Sequence, residues 1–120
     1  MSWLIEAGGH RVVHLGDTMW HGWWWRIAER YGPPDVVLAP INGARLSFPR
    51  RRPASPLAGA LEPEQAALAA DILQADRLIP MHYGGYDLPG IYEPVADAAE
   101  RVQAASDRAT VMGIGEAVEL

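Results

Sequence analysis

The stretch VVHLGDTMWHG, residues 12–22, carries an apolar run straight into an acid, a hydroxyl and a histidine. Val12, Val13 and Leu15 have the composition of a short buried strand. Asp17 would then sit just past the end of that strand. Open α/β sheets gather their binding groups there, at the C-terminal ends of strands. A plain turn is the competing reading, because Asp and Thr bond nearby backbone groups and cap following helices.

Outward from this stretch, SWLIEA (2–7) and RVVHL (11–15) read as two strands joined by a GGH hairpin turn. MWHGWWWRIAERYG (19–32) reads as a helix, with Trp20, Trp23, Trp24, Ile27, Ala28 and Tyr31 on one face. Gly32-Pro33-Pro34 ends it. DVVLAPI (35–41) is the continuous apolar run of a strand covered on both faces. Residues 42–61, rich in Pro, Gly, Arg and Ser, form a long loop without a period, and such loops are usually functional or mobile. EPEQAALAADILQA (62–75) is a helix with Pro63 in its first turn, and DRLIPMH (76–82) is the next strand. A loop holding Tyr83 and Tyr86 follows, then a third helix over 93–105 and closing strands at 109–114 and 117–120. Strands alternating with helices after a hairpin predict an α/β (α+β) single domain over 1–120, with a mixed sheet and about three covering helices.

Composition narrows the chemistry. A net charge of −5 argues against a general nucleic-acid binder, whose affinity comes from neutralising phosphates. The Arg50-Arg51-Arg52 run reads as a solvated loop, with a local anion site as the alternative. There is no cysteine, which leaves His, Asp and Glu as the strong metal ligands and excludes thiol catalysis. That composition is compatible with a reducing cytoplasm, the location expected here. Neither a signal peptide nor an apolar run of about 20 residues is visible, so no membrane span is expected.

Asp17, Asn42 and His82 each fall just past a predicted strand. Asp17 and His82 suit zinc, with manganese or iron as alternatives. A carboxylate can touch two metals at once, and Thr18 beside it could orient it. Each residue also has a structural reading. His82 could be a hydrogen-bonded turn residue, His21 a solvent-facing group or a pocket residue, and Tyr83 a pocket or packing residue. His10 and His14 read as structural.

The order of the motifs adds more than any one of them. HLGDT, DVVLAPING, EPEQAALAADIL and RLIPMHYGGYD, in sequence, resemble the C-terminal half of a metallo-β-lactamase-fold hydrolase. The branch in view includes ascorbate-6-phosphate lactonase-like enzymes and N-acylphosphatidylethanolamine-hydrolysing phospholipase D. The resemblance spans nearly the whole chain, residues 2–114. It implies half of a four-layer αββα sandwich, with Asp17 as the carboxylate bridging two metals and His82 as the late histidine of the second. Asn42 in PING departs from the PIGG or PIGA of relatives. The family's His-x-His-x-Asp-His motif does not occur in this sequence.

The resemblance therefore implies half of a two-metal site. The expected function is hydrolysis of an ester, lactone or phosphodiester in a small-molecule substrate, with the missing ligands supplied by an N-terminal half or by self-association. The alternative is a non-catalytic remnant serving as a binding or assembly module. A lone half would leave one sheet face bare, which also predicts association.

Overall fold

A computed structural model describes residues 1–120. Strand β1 (Trp3–Ala7) turns through Gly8-Gly9 into the antiparallel β2 (His10–His14). Helix α1 (Trp24–Tyr31) leads to β3 (Val36–Pro40), which lies parallel to β2. After the two-residue β4 (Arg45–Leu46) come helix α2 (Pro63–Ile72) and β5 (Arg77–Met81), parallel to β3. The short β6 (Tyr92–Glu93) pairs with β4, and α3 (Ala98–Ala105) follows. The main sheet thus has the order β1-β2-β3-β5 and is mixed, as expected.

Pairing across the sheet assigns its two faces, since directly opposed residues share one. Val13, Val37 and Leu78 stand in one row and face the helices. They join Leu15, Ala39, Trp24 and Val102 in one buried cluster. Ala66, Ala67, Ala69 and Ala70 of α2 belong to it too, and these small side chains let the helix sit close to the strands. A capping box between Glu62 and Gln65, with Pro63 at the first turn, starts α2 where the sequence places it.

The opposite face carries the rows Trp3-His14-Leu38-Ile79 and Ile5-Val12-Val36-Arg77. None of these eight residues belongs to the core cluster. Trp3 is 60% exposed and Ile5 51%. All the helical core residues lie on the other side, so this face has no helical layer. The carbonyl of Glu119 reaches it at 3.2 Å from the Arg77 guanidinium, bringing the C-terminal tail to its lower edge.

Several expectations are corrected. Helix α1 begins at Trp24 rather than near Met19. The Nδ1 atom of His21 accepts the Trp23 N–H at 3.1 Å, holding a turn where the helix was expected. Only Trp24, Ile27 and Ala28 of the aromatic stripe pack into the core, while Trp23 and Trp25 are more than half exposed. Helix α3 starts at Ala98, because Tyr92 and Glu93 are used in pairing with β4. The closing strands reduce to one bridge between Ala109 and Leu78. No helix is long and apolar enough to cross a membrane.

Gly43 shows why the turn after β3 needs its glycine. Its φ is +50°, and a Cβ there would lie 2.8 Å from both Glu62 Cγ and Val95 Cγ1. A left-handed residue with a side chain costs about 1–2 kcal/mol before any clash. Gly43→Ala is expected to lower unfolding free energy by about 2–3 kcal/mol in a urea titration. A loss below about 0.5 kcal/mol would mean the turn relaxes freely.

Candidate metal centre

Asp17 and His82 leave the sheet at the same edge, from β2 and β5. Beyond His14 the ladder continues one step, with Leu15 N–H donating to the Leu38 carbonyl at 2.9 Å. Gly16 then turns the chain with φ +71°, and its N–H donates to His14 Nδ1 at 3.0 Å. His14 is therefore structural, and what it fixes is the turn that presents Asp17. The next carbonyl, of Thr18, accepts the Leu61 N–H at 2.9 Å and pins the segment to the start of α2.

His82 follows β5 directly and has φ +58°, a left-handed conformation in a residue with a side chain. Such backbone is sparsely populated and persists only where the surroundings hold it, often at functional sites. Ile41 N–H donates to the Met81 carbonyl at 3.1 Å, so the ends of β3 and β5 stay zipped up to this point.

Both side chains are exposed, and both line one cavity of about 160 Å³. Asn42 and Tyr92 line it as well, with Ala44 and Ala60 from the ends of the long loop. That loop folds back on itself through Gly59 N–H to the Ala44 carbonyl, 2.7 Å, and Arg45 to the Pro56 carbonyl, 2.8 Å. Its two ends become a wall.

Asn42 is buried, 4% exposed. Its amide Nδ2 donates to the Tyr92 hydroxyl oxygen, while Oδ1 is buried without a partner. In this arrangement the phenol accepts from Asn42 and keeps its own proton free to donate. Tyr92 was not among the residues singled out from sequence. It reaches the cavity because β6 pairs Tyr92 with Leu46, and because Tyr92 and Leu88 exchange backbone hydrogen bonds of 2.8 and 2.9 Å. The IYEP run gives no local hint of that pairing.

The remaining expected site residues fall differently. The Thr18 hydroxyl donates to the Met19 carbonyl at 3.1 Å rather than to Asp17, so it does not orient that carboxylate. His21 is not in the cavity; its ring stacks on Trp24 at 3.7 Å. Tyr83 packs partly against the core and lines a neighbouring cavity with His82.

Burial is the larger influence on His21 and lowers its imidazole below the ordinary 6.5, with a backbone hydrogen bond opposing. The unfolded chain therefore binds this proton more readily than the folded one. The associated stability is fully present above 6.5 and is lost as pH falls through the folded value. The urea midpoint is expected to drop between pH 7.5 and 5.5, and to drop less in His21→Gln. An equal drop in both proteins would assign the effect to other groups.

The donor set can be tested against a metal directly. A carboxylate and an imidazole in one cavity suit a divalent ion of the zinc, manganese or iron type. No group of three or more His, Cys, Asp or Glu side chains in the chain is arranged to hold one. Asp17 and His82 therefore fit as part of a metal shell, and catalytic zinc sites ordinarily take three protein ligands.

A profile described as the beta-lactamase superfamily domain matches residues 1–83. The chain belongs to the metallo-β-lactamase superfamily. It is 31% identical to a UPF0173 metal-dependent hydrolase of Thermococcus kodakarensis, covering 99% of this chain and 46% of that protein. A second UPF0173 metal-dependent hydrolase, of Rubrobacter xylanophilus, is 37% identical over 78% of this chain and 33% of its own. Among solved structures, the metallo hydrolase Igni18 of Ignicoccus hospitalis superposes with a TM-score of 0.67 at 31% identity. That match covers 96% of this chain and 43% of Igni18. The metallo-β-lactamase fold protein YhfI of Bacillus subtilis shares the fold at 15% identity, TM-score 0.61, over 93% of this chain and 40% of its own. The chain thus spans about half the length of the curated relatives that match nearly all of it. The mixed sheet with three helices is half of a metallo-β-lactamase fold.

Proposed function

We propose that this chain contributes one half of the catalytic centre of a metal-dependent hydrolase acting on an ester, lactone or phosphodiester. The observation that carries the reading is the convergence of Asp17 and His82, from two strands, on one cavity. Relatives named metal-dependent hydrolases support the reading.

Asp17 and His82 would hold the metal as two of its ligands, with the remaining ligands supplied from elsewhere. The bound ions, zinc or else manganese or iron, would supply Lewis acidity and a water nucleophilic at neutral pH. The other ligands come from a further polypeptide segment, either an N-terminal half or a second copy. The sheet face without a helical layer, on which Trp3 and Ile5 are exposed, is the surface on which such a segment would pack.

Tyr92 would donate its phenol proton toward the oxygen that gains negative charge as substrate is attacked. Asn42 holds that hydroxyl by occupying its acceptor side. Removing one preorganised donor of this kind costs about 100-fold in rate. Tyr92→Phe is expected to lower kcat by about that factor with metal content unchanged, and an unaltered kcat would remove Tyr92 from the mechanism.

The hydrolytic reading itself is tested by a screen of nitrophenyl esters, lactones and a bis-nitrophenyl phosphodiester. Turnover should vanish on chelation and return with added zinc or manganese. Turnover insensitive to chelation would contradict it.

A second reading, a non-catalytic binding or assembly module, is favoured by the exposure of Trp23 and Trp25, 56% and 58%. It requires that Asp17→Ala and His82→Ala leave partner binding intact while Trp25→Ala weakens it in a pull-down titration.

A further inference from the structure

Beside the Asp17–His82 cavity lies a second, of about 150 Å³. Asn42, His82 and Tyr92 line both, so three polar side chains form a shared partition. The walls of the second cavity alone are Tyr83, Tyr86 and Pro94, with the backbone of Gly84 and Gly85. It is more aromatic than its neighbour, and none of its own wall residues is a charged group.

We propose that this second cavity is a subsite for a planar, unsaturated ring carried by the substrate, next to the bond cleaved in the first. The inference rests on the hydrolytic reading of the Asp17–His82 cavity. Size is the first argument. A volume of about 150 Å³ is enough for one benzene ring.

Geometry is the second. Tyr86 meets Tyr92 edge-on, with ring centres 5.3 Å apart and planes at 66°. Aromatic groups attract in edge-to-face and offset-stacked arrangements, so a third ring can be held against such a pair. Tyr83 is anchored on the core cluster, which makes part of the wall preformed. Preformed walls spare a ligand the entropy of ordering them.

Space is the third. A Cβ built on Gly84 or Gly85 meets no atom within 4 Å. The two glycines thus line the cavity with bare backbone, and a side chain added at either meets no neighbouring atom. Because His82 and Tyr92 stand in the partition, a ring lodged there would place the bond attached to it within reach of both.

The experiment titrates phenylphosphonate and methylphosphonate into the metal-loaded protein by calorimetry, with metal content measured in the same samples. The two probes share an anionic head and differ in the ring. Phenylphosphonate is expected to bind at least about 10-fold more tightly, on the area a ring buries. Gly85→Leu adds bulk to a lining residue whose backbone is not left-handed and whose Cβ would meet no atom, so the variant should fold. Tyr86→Ala removes a wall whose side chain is 63% exposed, with little effect on the core. Each variant should bring the two affinities together while leaving methylphosphonate binding unchanged.

Equal affinity for the two probes with metal retained overturns the subsite alone. So does failure of both to bind, or a ring preference that survives both variants. Metal binding that survives the Asp17→Ala/His82→Ala double change overturns the hydrolytic reading, and the subsite falls with it.

Discussion

Asp17→Ala and His82→Ala are each expected to abolish metal retention and to reduce hydrolysis by about 1000-fold or more. Groups that merely support a ligand typically cost 10–100-fold in metal affinity or activity, so the loss of a ligand must exceed that. Both side chains are exposed at the ends of strands, and neither makes a side-chain hydrogen bond or ion pair within the chain. Their removal should therefore leave the unfolding free energy, from urea titration, within about 0.5 kcal/mol of wild type. Activity lost with stability preserved separates a ligand from a fold-holding residue. Either variant retaining full metal and full turnover would remove that residue from the centre.

Trp24→Ala is expected to be the most damaging single change to the fold. Trp24 is 1% exposed and joins the cluster that includes Leu15, two residues before Asp17. Truncating a buried tryptophan typically costs about 3–5 kcal/mol, from lost transfer energy and the cavity left behind. The stack of His21 on Trp24 would be lost as well. Against a whole stability of about 5–15 kcal/mol, this leaves a marginal domain. Urea unfolding followed by far-ultraviolet dichroism measures it. Trp23→Ala and Trp25→Ala, more than half exposed, should cost little in the same assay. If Trp24 behaved like them, the helix would not be anchored as described.

The contrast among these tryptophans marks where sequence reading succeeded and where it ran out. Apolar period placed Trp24, Ile27 and Ala28 on the buried stripe, and all three pack there. Period alone also extended the helix back across His21 and Gly22. A local side-chain to backbone bond from Trp23 to His21 won instead, and a glycine beside it weakens helix further. Helix α2 was legible because Pro63 and the Glu62–Gln65 capping box are local signals.

The site divides along the same line. One positional rule, the ends of adjacent strands, singles out Asp17, Asn42 and His82 as candidates, and the three line one cavity. Tyr92 was missed because a non-local pairing with Leu46 delivers it. Thr18 was given an orienting role from adjacency, yet its hydroxyl turns to the Met19 carbonyl. Neighbours in sequence need not face each other once a glycine has turned the chain.

The most direct measurement is the metal content of the untagged protein after equilibrium dialysis against zinc, by elemental mass spectrometry, beside the Asp17→Ala/His82→Ala double variant. The expected result is one or two equivalents per chain in the wild type and none in the variant. A variant retaining as much metal as the wild type would contradict a metal centre built on Asp17 and His82, and a wild type retaining none would contradict completion of that centre by a second copy.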